Sequence, residues 1–197
     1  MKKTKKLTFF TVNDDYIDYL REKDNKVLFN KPDNERRPYV GFVLDINNSS
    51  YLVPLTSKVR PTNKITTRIP NTFTQKQMSE PDFDTKYPKY VGSIKFNCMI
   101  PVFDEVITKI DLDKLSETEE GRKYTDLLNK EIVFCNNNKD SIVSKALKTY
   151  EMCEKNKKYE AKLIEACCDF KLLEAASMSY KDNILKSAEV ALDMDNK

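Results

Sequence analysis

The chain has 197 residues, of which 33% are charged and 40% hydrophobic, and a formal net charge of +3. This composition excludes an intrinsically disordered polypeptide and suits a single domain with one core and room for a helical annex. The chain contains no histidine, so acid-base or phosphate chemistry must be assembled from hydroxyls, Lys, Arg, Tyr and carboxylates.

The charge is uneven. Residues 1–70 carry 14 Lys and Arg against 8 Asp and Glu, a net of +6, and residues 71–197 a net of −3. A basic first half is compatible with a polyanionic partner, and equally with a solvated basic surface. Met1-Lys2-Lys3-Thr4-Lys5-Lys6 imitates the start of a secretory signal, but the apolar run after it is interrupted by Thr8 and Thr11 and ends in Asn13-Asp14-Asp15. A signal sequence needs a longer apolar core, and no stretch is long enough for a membrane span. Five cysteines, odd in number and without metal-ligand spacing, read as reduced thiols of a cytoplasmic protein.

In chain order, Leu7 to Val12 reads as a strand, and Asn13 as the N-cap of a helix from Asp14 to Glu22 whose first-turn aspartates suit the helix dipole. Tyr39 to Ile46 and Tyr51 to Leu55 read as two strands, with Asn47-Asn48-Ser49-Ser50 as a hairpin signal. Ile65 to Ile69, Tyr90 to Phe96 and Met99 to Val102 read as further strands. The polar, Pro-containing stretch Pro70 to Pro88 reads as a surface insertion. Five or six short strands suit a small, strongly bent antiparallel sheet or partly open barrel. Gly41 and Gly92 inside strand patterns mark a bulge or a close backbone approach.

Near residue 113 the pattern turns helical: Glu117 to Lys130, Asp140 to Glu154, Lys158 to Cys168, and Phe170 to Leu192 with a break between Ser177 and Asp182. Ile142, Val143, Ala146, Leu147 and Tyr150 form one apolar stripe that reads as core. Asp169 reads as the N-cap of the last helix, and Cys167-Cys168 as buried packing. The fold class is α+β, a single domain over 1–197 with a sheet-forming part to about 112 and a helical part from about 113.

The densest chemical group lies in Tyr51-Leu52-Val53-Pro54-Leu55-Thr56-Ser57-Lys58-Val59-Arg60, an apolar strand that runs into two hydroxyls and two cations. A metal-free, histidine-free ribonuclease would let the 2′-hydroxyl attack the neighbouring phosphate in line. Alignment and preorganised cations then supply much of the barrier reduction. Thr56 and Ser57 suit contacts to a phosphoryl oxygen or the 2′-hydroxyl, and Arg37, Lys58 and Arg60 suit the charge. Read as ordinary turn chemistry, the same residues are a strand exit and a solvated surface. Tyr16 suits stacking on a base, or tying the first helix to the sheet. Asp111 and Asp113 hold Mg²⁺ only with further ligands that the sequence does not identify, so no metal or cofactor is assigned.

Phe10-Thr-Val-Asn-Asp-Asp-Tyr16-Ile-Asp-Tyr19-Leu20, Asp24-Asn-Lys26-Val27, Arg37-Pro38-Tyr39-Val40-Gly41, Tyr51-Leu-Val-Pro-Leu-Thr56-Ser57, Asn97-Cys-Met99-Ile100-Pro101-Val102 and Cys167-Cys168-Asp169-Phe170 resemble, in this order, the toxins of type III toxin-antitoxin systems, the ToxN/AbiQ/CptN family. The resemblance implies a compact SH3-like antiparallel barrel, related to the Kid/MazF toxins, with additional, mainly C-terminal helices. It implies a metal-independent endoribonuclease that leaves 2′,3′-cyclic phosphate ends and acts in phage defence by abortive infection. It further implies that a repeated pseudoknot antitoxin RNA both inhibits the toxin and is processed by it, within a closed protein-RNA assembly.

Carried over by position, the catalytic group is Ser57, Thr56, Arg37 and Tyr16, with Lys58 or Arg60 as the cation after the hydroxyl pair. Lys26, Lys31, Arg36, Arg60, Lys64 and Tyr19 are the expected RNA contacts. The alternative is an SH3-like module that binds RNA and cleaves nothing.

Overall fold

The computed structural model describes residues 6–29, 39–41, 49–56, 72–74, 90–155 and 161–195. They form seven strands, β1 (Thr8–Val12), β2 (Tyr39–Gly41), β3 (Ser50–Thr56), β4 (Thr72–Thr74), β5 (Tyr90–Ile94), β6 (Ile100–Val102) and β7 (Ile107–Lys109), and six helices. The helices are α1 (Asp14–Lys23), α2 (Leu112–Leu115), α3 (Glu119–Asn137), α4 (Lys139–Glu154), α5 (Ala161–Glu165) and α6 (Phe170–Asp195). The sheet is antiparallel, in the order β4-β5-β3-β2-β1-β7, with β6 on β3 beyond this path. Among the described residues its edges β4 and β7 do not pair, so the sheet is open and the molecule is α+β.

β3 is the strand around which the rest is arranged. One edge pairs with β2, Tyr39 opposite Pro54 and Gly41 opposite Leu52. The other pairs with β5 through Leu55↔Ile94 and with β6 through Leu52↔Ile100. Three steps on β3 thus face six on its partner, and the surplus is taken up by a 3-10 turn at Phe96–Cys98. Pro54 sits beside this interruption. Its carbonyl accepts from Lys95 N–H at 2.9 Å, and its absent N–H falls where the partner chain leaves the ladder, which is where an interior strand tolerates proline. Residues 51–56 of β3 are all buried, as expected of a strand covered on both faces.

α1 begins as its composition dictates. Asn13 Oδ1 accepts from Tyr16 N–H at 3.2 Å, and Asp14 and Asp15 occupy the first turn. Its buried face is Tyr16, Ile17 and Leu20. Asp24 ties this helix to α6: Oδ2 accepts from Asp169 N–H at 2.7 Å and Oδ1 from Lys26 N–H at 2.9 Å. Asp169 in turn caps α6 by accepting from Leu172 N–H at 3.0 Å. The 3-10 turn docks on the same junction, with Cys168 N–H donating to Asn97 O and Asn97 Nδ2 to Ala166 O, both at 2.8 Å. One apolar cluster runs from β1, α1, β3 and β6 into α3, α4 and α6.

Four sequence expectations are corrected. The stretch from Pro70 to Pro88 contains strand β4, Thr-Phe-Thr, paired on β5, with a bulge that sets Phe73 opposite Gly92 and Thr74 opposite Tyr90. β7 was not expected, because Ile107–Lys109 alternates weakly and gains its order as an edge on β1. α3 continues to Asn137, past the expected end at Lys130: Cys135 is buried, and Asn136 bonds the backbone of Leu7 through Oδ1 (2.9 Å) and Nδ2 (3.2 Å). α6 has no break between Ser177 and Asp182, because Ser177 and Tyr180 pack against α1.

Gly121 is dictated by a close approach, since a Cβ there would lie 1.8 Å from the carbonyl oxygen of Leu115. The expected strand Ile65 to Ile69 and residues 42–46 of the expected second strand lie outside the described residues. No helix among the described residues is long and apolar enough to cross a membrane.

Candidate ribonuclease site

Thr56 is the last residue of β3, buried, and directly opposite Ser93 of β5. The end of β3 that leads to Ser57 lies beside the start of β2 that follows Arg37, because Tyr39 pairs with Pro54. Antiparallel pairing therefore sets the last residues of β3 and the first of β2 at one end of the sheet. Ser57, Lys58, Arg60, Lys64, Lys31, Arg36 and Arg37 lie outside the described residues.

Tyr16 stands elsewhere. It is fully buried, and its hydroxyl is 2.8 Å from both the Pro101 carbonyl oxygen and Ser177 Oγ. A carbonyl can only accept, so the phenol donates to Pro101 and accepts from Ser177. Its ring meets Phe103 and Tyr180 edge-on, with centroids 5.6 and 5.0 Å apart. Burial pushes the phenol well above its ordinary pKa, so it holds its proton at neutral pH. Pro101 pairs with Tyr51, five residues before Thr56, or roughly 16 Å along an extended strand. The structure does not bring Tyr16 and Thr56 together.

Tyr19 is half-buried, its ring 4.9 Å from that of Tyr180 and under the Lys23 ammonium at 4.9 Å. The Lys26 ammonium is partly exposed and 3.9 Å from the Asp24 carboxylate. These two residues share the α1 side of the molecule.

Three polar features escaped the sequence reading. Ser93 is buried opposite Thr56, and only strand register could have singled it out. Glu174 of α6 accepts through Oε1 from Tyr51 (2.7 Å) and Tyr150 (2.9 Å), while Lys171 approaches Oε2 at 3.4 Å. Burial and this carboxylate push the Tyr51 phenol far up, and the network fastens β3 to α4 and α6. Glu131 of α3 is buried, and desolvation pushes its carboxyl up to about 7. Burial, reinforced by Glu131, raises Tyr124 to about 12 and the Cys135 thiol further.

All five cysteines are free thiols, and all but Cys153 are buried. Hydrogen bonds that Cys167 and Cys168 donate to the sulfurs of Cys153 and Cys98, with burial, push their thiols up, which suits packing and not nucleophilic chemistry. Among the described residues no group of three or more Cys, Asp or Glu is placed to hold a metal ion.

An open antiparallel sheet braced by helices, with hydroxyl residues at a strand end, defines an α+β protein. The chain belongs to the ToxN toxin family of type III toxin-antitoxin systems, whose description, "Toxin ToxN, type III toxin-antitoxin system", matches residues 8–178. It is 35% identical to the endoribonuclease ToxN of Bacillus thuringiensis subsp. kurstaki over 177 residues, covering 88% of this chain and 84% of that one. It is 28% identical to the endoribonuclease AbiQ of Lactococcus lactis subsp. lactis, covering 88% and 89%. Among solved structures, one concerned with selective toxin inhibition by a non-coding RNA pseudoknot superposes with a TM-score of 0.74 at 32% identity, covering 90% of this chain and 99% of that one. AbiQ, described as a lactococcal anti-phage endoribonuclease, superposes with a TM-score of 0.68 at 27% identity, covering 90% and 99%.

Proposed function

We propose that this chain is a metal-independent endoribonuclease toxin of a type III toxin-antitoxin system, acting in phage defence by abortive infection. The observation that carries the proposal is the match to the endoribonuclease ToxN of Bacillus thuringiensis along most of both chains. The placement of Thr56 at the end of the central strand supports it. In this reading the 2′-hydroxyl gives up its proton as its oxygen bonds to phosphorus. The bond from phosphorus to the 5′-oxygen breaks, that oxygen takes a proton, and a 2′,3′-cyclic phosphate remains.

Ser57 and Thr56 hold the phosphoryl oxygens and the attacking hydroxyl in line, while Arg37 and Lys58 oppose the growing negative charge. Tyr16 serves the site by holding α1 and α6 against β6. A repeated pseudoknot RNA is both processed substrate and inhibitor, held in a closed protein-RNA assembly in the cytoplasm. Lys26, Lys31, Arg36, Arg60, Lys64 and Tyr19 are its contacts. The sheet is the core of an SH3-like barrel of the Kid/MazF kind, and residues 1–197 form one domain.

The test is to incubate the purified protein with cellular RNA in EDTA and map the new ends. New cyclic-phosphate ends at a defined short sequence, reduced about a hundredfold or more in Ser57→Ala at unchanged melting temperature, are expected. RNA retained without new ends would make the protein a binding module instead.

A further inference from the structure

We propose that Ser93 is a further substrate-contacting residue of the ribonuclease site, its hydroxyl donating a hydrogen bond to a phosphoryl oxygen of the scissile phosphate beside Thr56. The inference rests on the ribonuclease reading above. It begins with strand register. Thr56 and Ser93 are directly opposed on β3 and β5, in step with Leu55 and Ile94. Directly opposed residues of an antiparallel pair project from the same face with Cβ atoms roughly 5 Å apart, close enough for both hydroxyls to reach one oxygen atom.

Burial supplies the second argument. Ser93 is 5% exposed and Thr56 8%, in strands whose adjoining positions Leu55 and Ile94 are apolar and buried. Serine has little to recommend it as packing in such a strand, where β-branched and aromatic side chains fill space better. A buried hydroxyl normally has a hydrogen-bond partner, and the exceptions call for an explanation such as a catalytic role. The Ser93 side chain engages no hydrogen bond among the described residues, whereas Thr56 is engaged. A donor kept dry in this way acts on phosphoryl charge with more effect than one in water, and needs no reorganisation when that charge develops. On its other edge Ser93 is paired with Thr72 of β4, so the position is held from both sides by the sheet.

The test uses a short RNA containing the mapped cleavage sequence, made with the ordinary scissile phosphate and with each of its two stereoisomeric phosphorothioates. Ser93→Ala is expected to slow single-turnover cleavage at saturating RNA about tenfold to a hundredfold, with KM within about twofold and the melting temperature unchanged. Ser93→Thr, which keeps the hydroxyl, is expected to restore most of the rate. For one stereoisomer, the penalty that sulfur imposes on the wild-type enzyme is expected to shrink in Ser93→Ala, because both changes remove the same contact. Cleavage by Ser93→Ala at the wild-type rate would overturn the proposal, and so would full multiplication of the two penalties for both stereoisomers. Failure of Ser93→Thr to recover activity while folded would also overturn it. A wild-type protein that leaves RNA uncut would refute the ribonuclease reading itself, which separates the two failures.

Discussion

At the scale of single residues, burial decides which polar groups are structural and which are poised. Glu131 and Glu174 are both buried carboxylates on helices, yet their surroundings differ. Glu174 has two phenols and an ammonium around it. Glu131 is raised by desolvation to about 7. Its carboxyl binds protons more tightly in the folded protein than in the unfolded chain, where it titrates near 4.5. Below that value both states are protonated and the burial carries no penalty. As pH rises through the folded value near 7 the stability is lost, by about 3 kcal/mol in full.

Glu131→Gln should therefore gain stability over the wild type as pH rises from 5 to 8, measured by urea unfolding at each pH. A difference that does not vary with pH would show that the carboxylate is solvated. Thr56 could be read from the sequence as a strand exit, because a hydroxyl there follows an apolar run. Ser93 could not, because its meaning comes from the residue opposite.

At the scale of elements, β3 and α1 were readable because their signals are local: five apolar residues before Thr56, and Asn13 followed by two aspartates. β4, the end of α3 and the middle of α6 were not, since each owes its form to a remote partner. β4 has β5, Asn136 has the backbone of Leu7, and Ser177 has Tyr16. The junction of α1 with α6 is of this second kind. Asp24 receives two backbone N–H groups, one from its own loop and one from Asp169, 145 positions away.

Hydrogen bonds to a charged acceptor contribute about 1.5–3 kcal/mol. Asp24→Asn, which sets an amide N–H₂ against one of those donors, should lower the melting temperature by roughly 5–10 °C for a chain of this size. Thermal unfolding followed by circular dichroism checks this, and an unchanged midpoint would mean that the α6 cap alone holds the junction.

At the scale of the whole molecule, the charge along the chain is uneven, +6 over residues 1–70 against −3 over the remainder, which is compatible with a polyanionic partner for the first part of the chain. Binding of the antitoxin RNA should weaken with salt, with a log-log slope of about −0.7 for each single-stranded phosphate contact. Titration of the Ser57→Ala protein, whose cleavage is expected to be slowed about a hundredfold or more, across about 50–300 mM salt measures it, and a flat response would remove the basic part of the chain from the interface.

The sequence by itself determined the α+β class, the caps of α1 and α6, the buried character of β3, and the chemistry available to a chain without histidine. These follow from residue type and from neighbours a few positions away. Only the tertiary structure decided that Thr56 faces Ser93, that Tyr16 is a buried strut about five strand residues from that pair, and that Glu131 lies in a dry site. Register, desolvation and long-range hydrogen bonds arise between residues distant in the chain, and no local pattern records them.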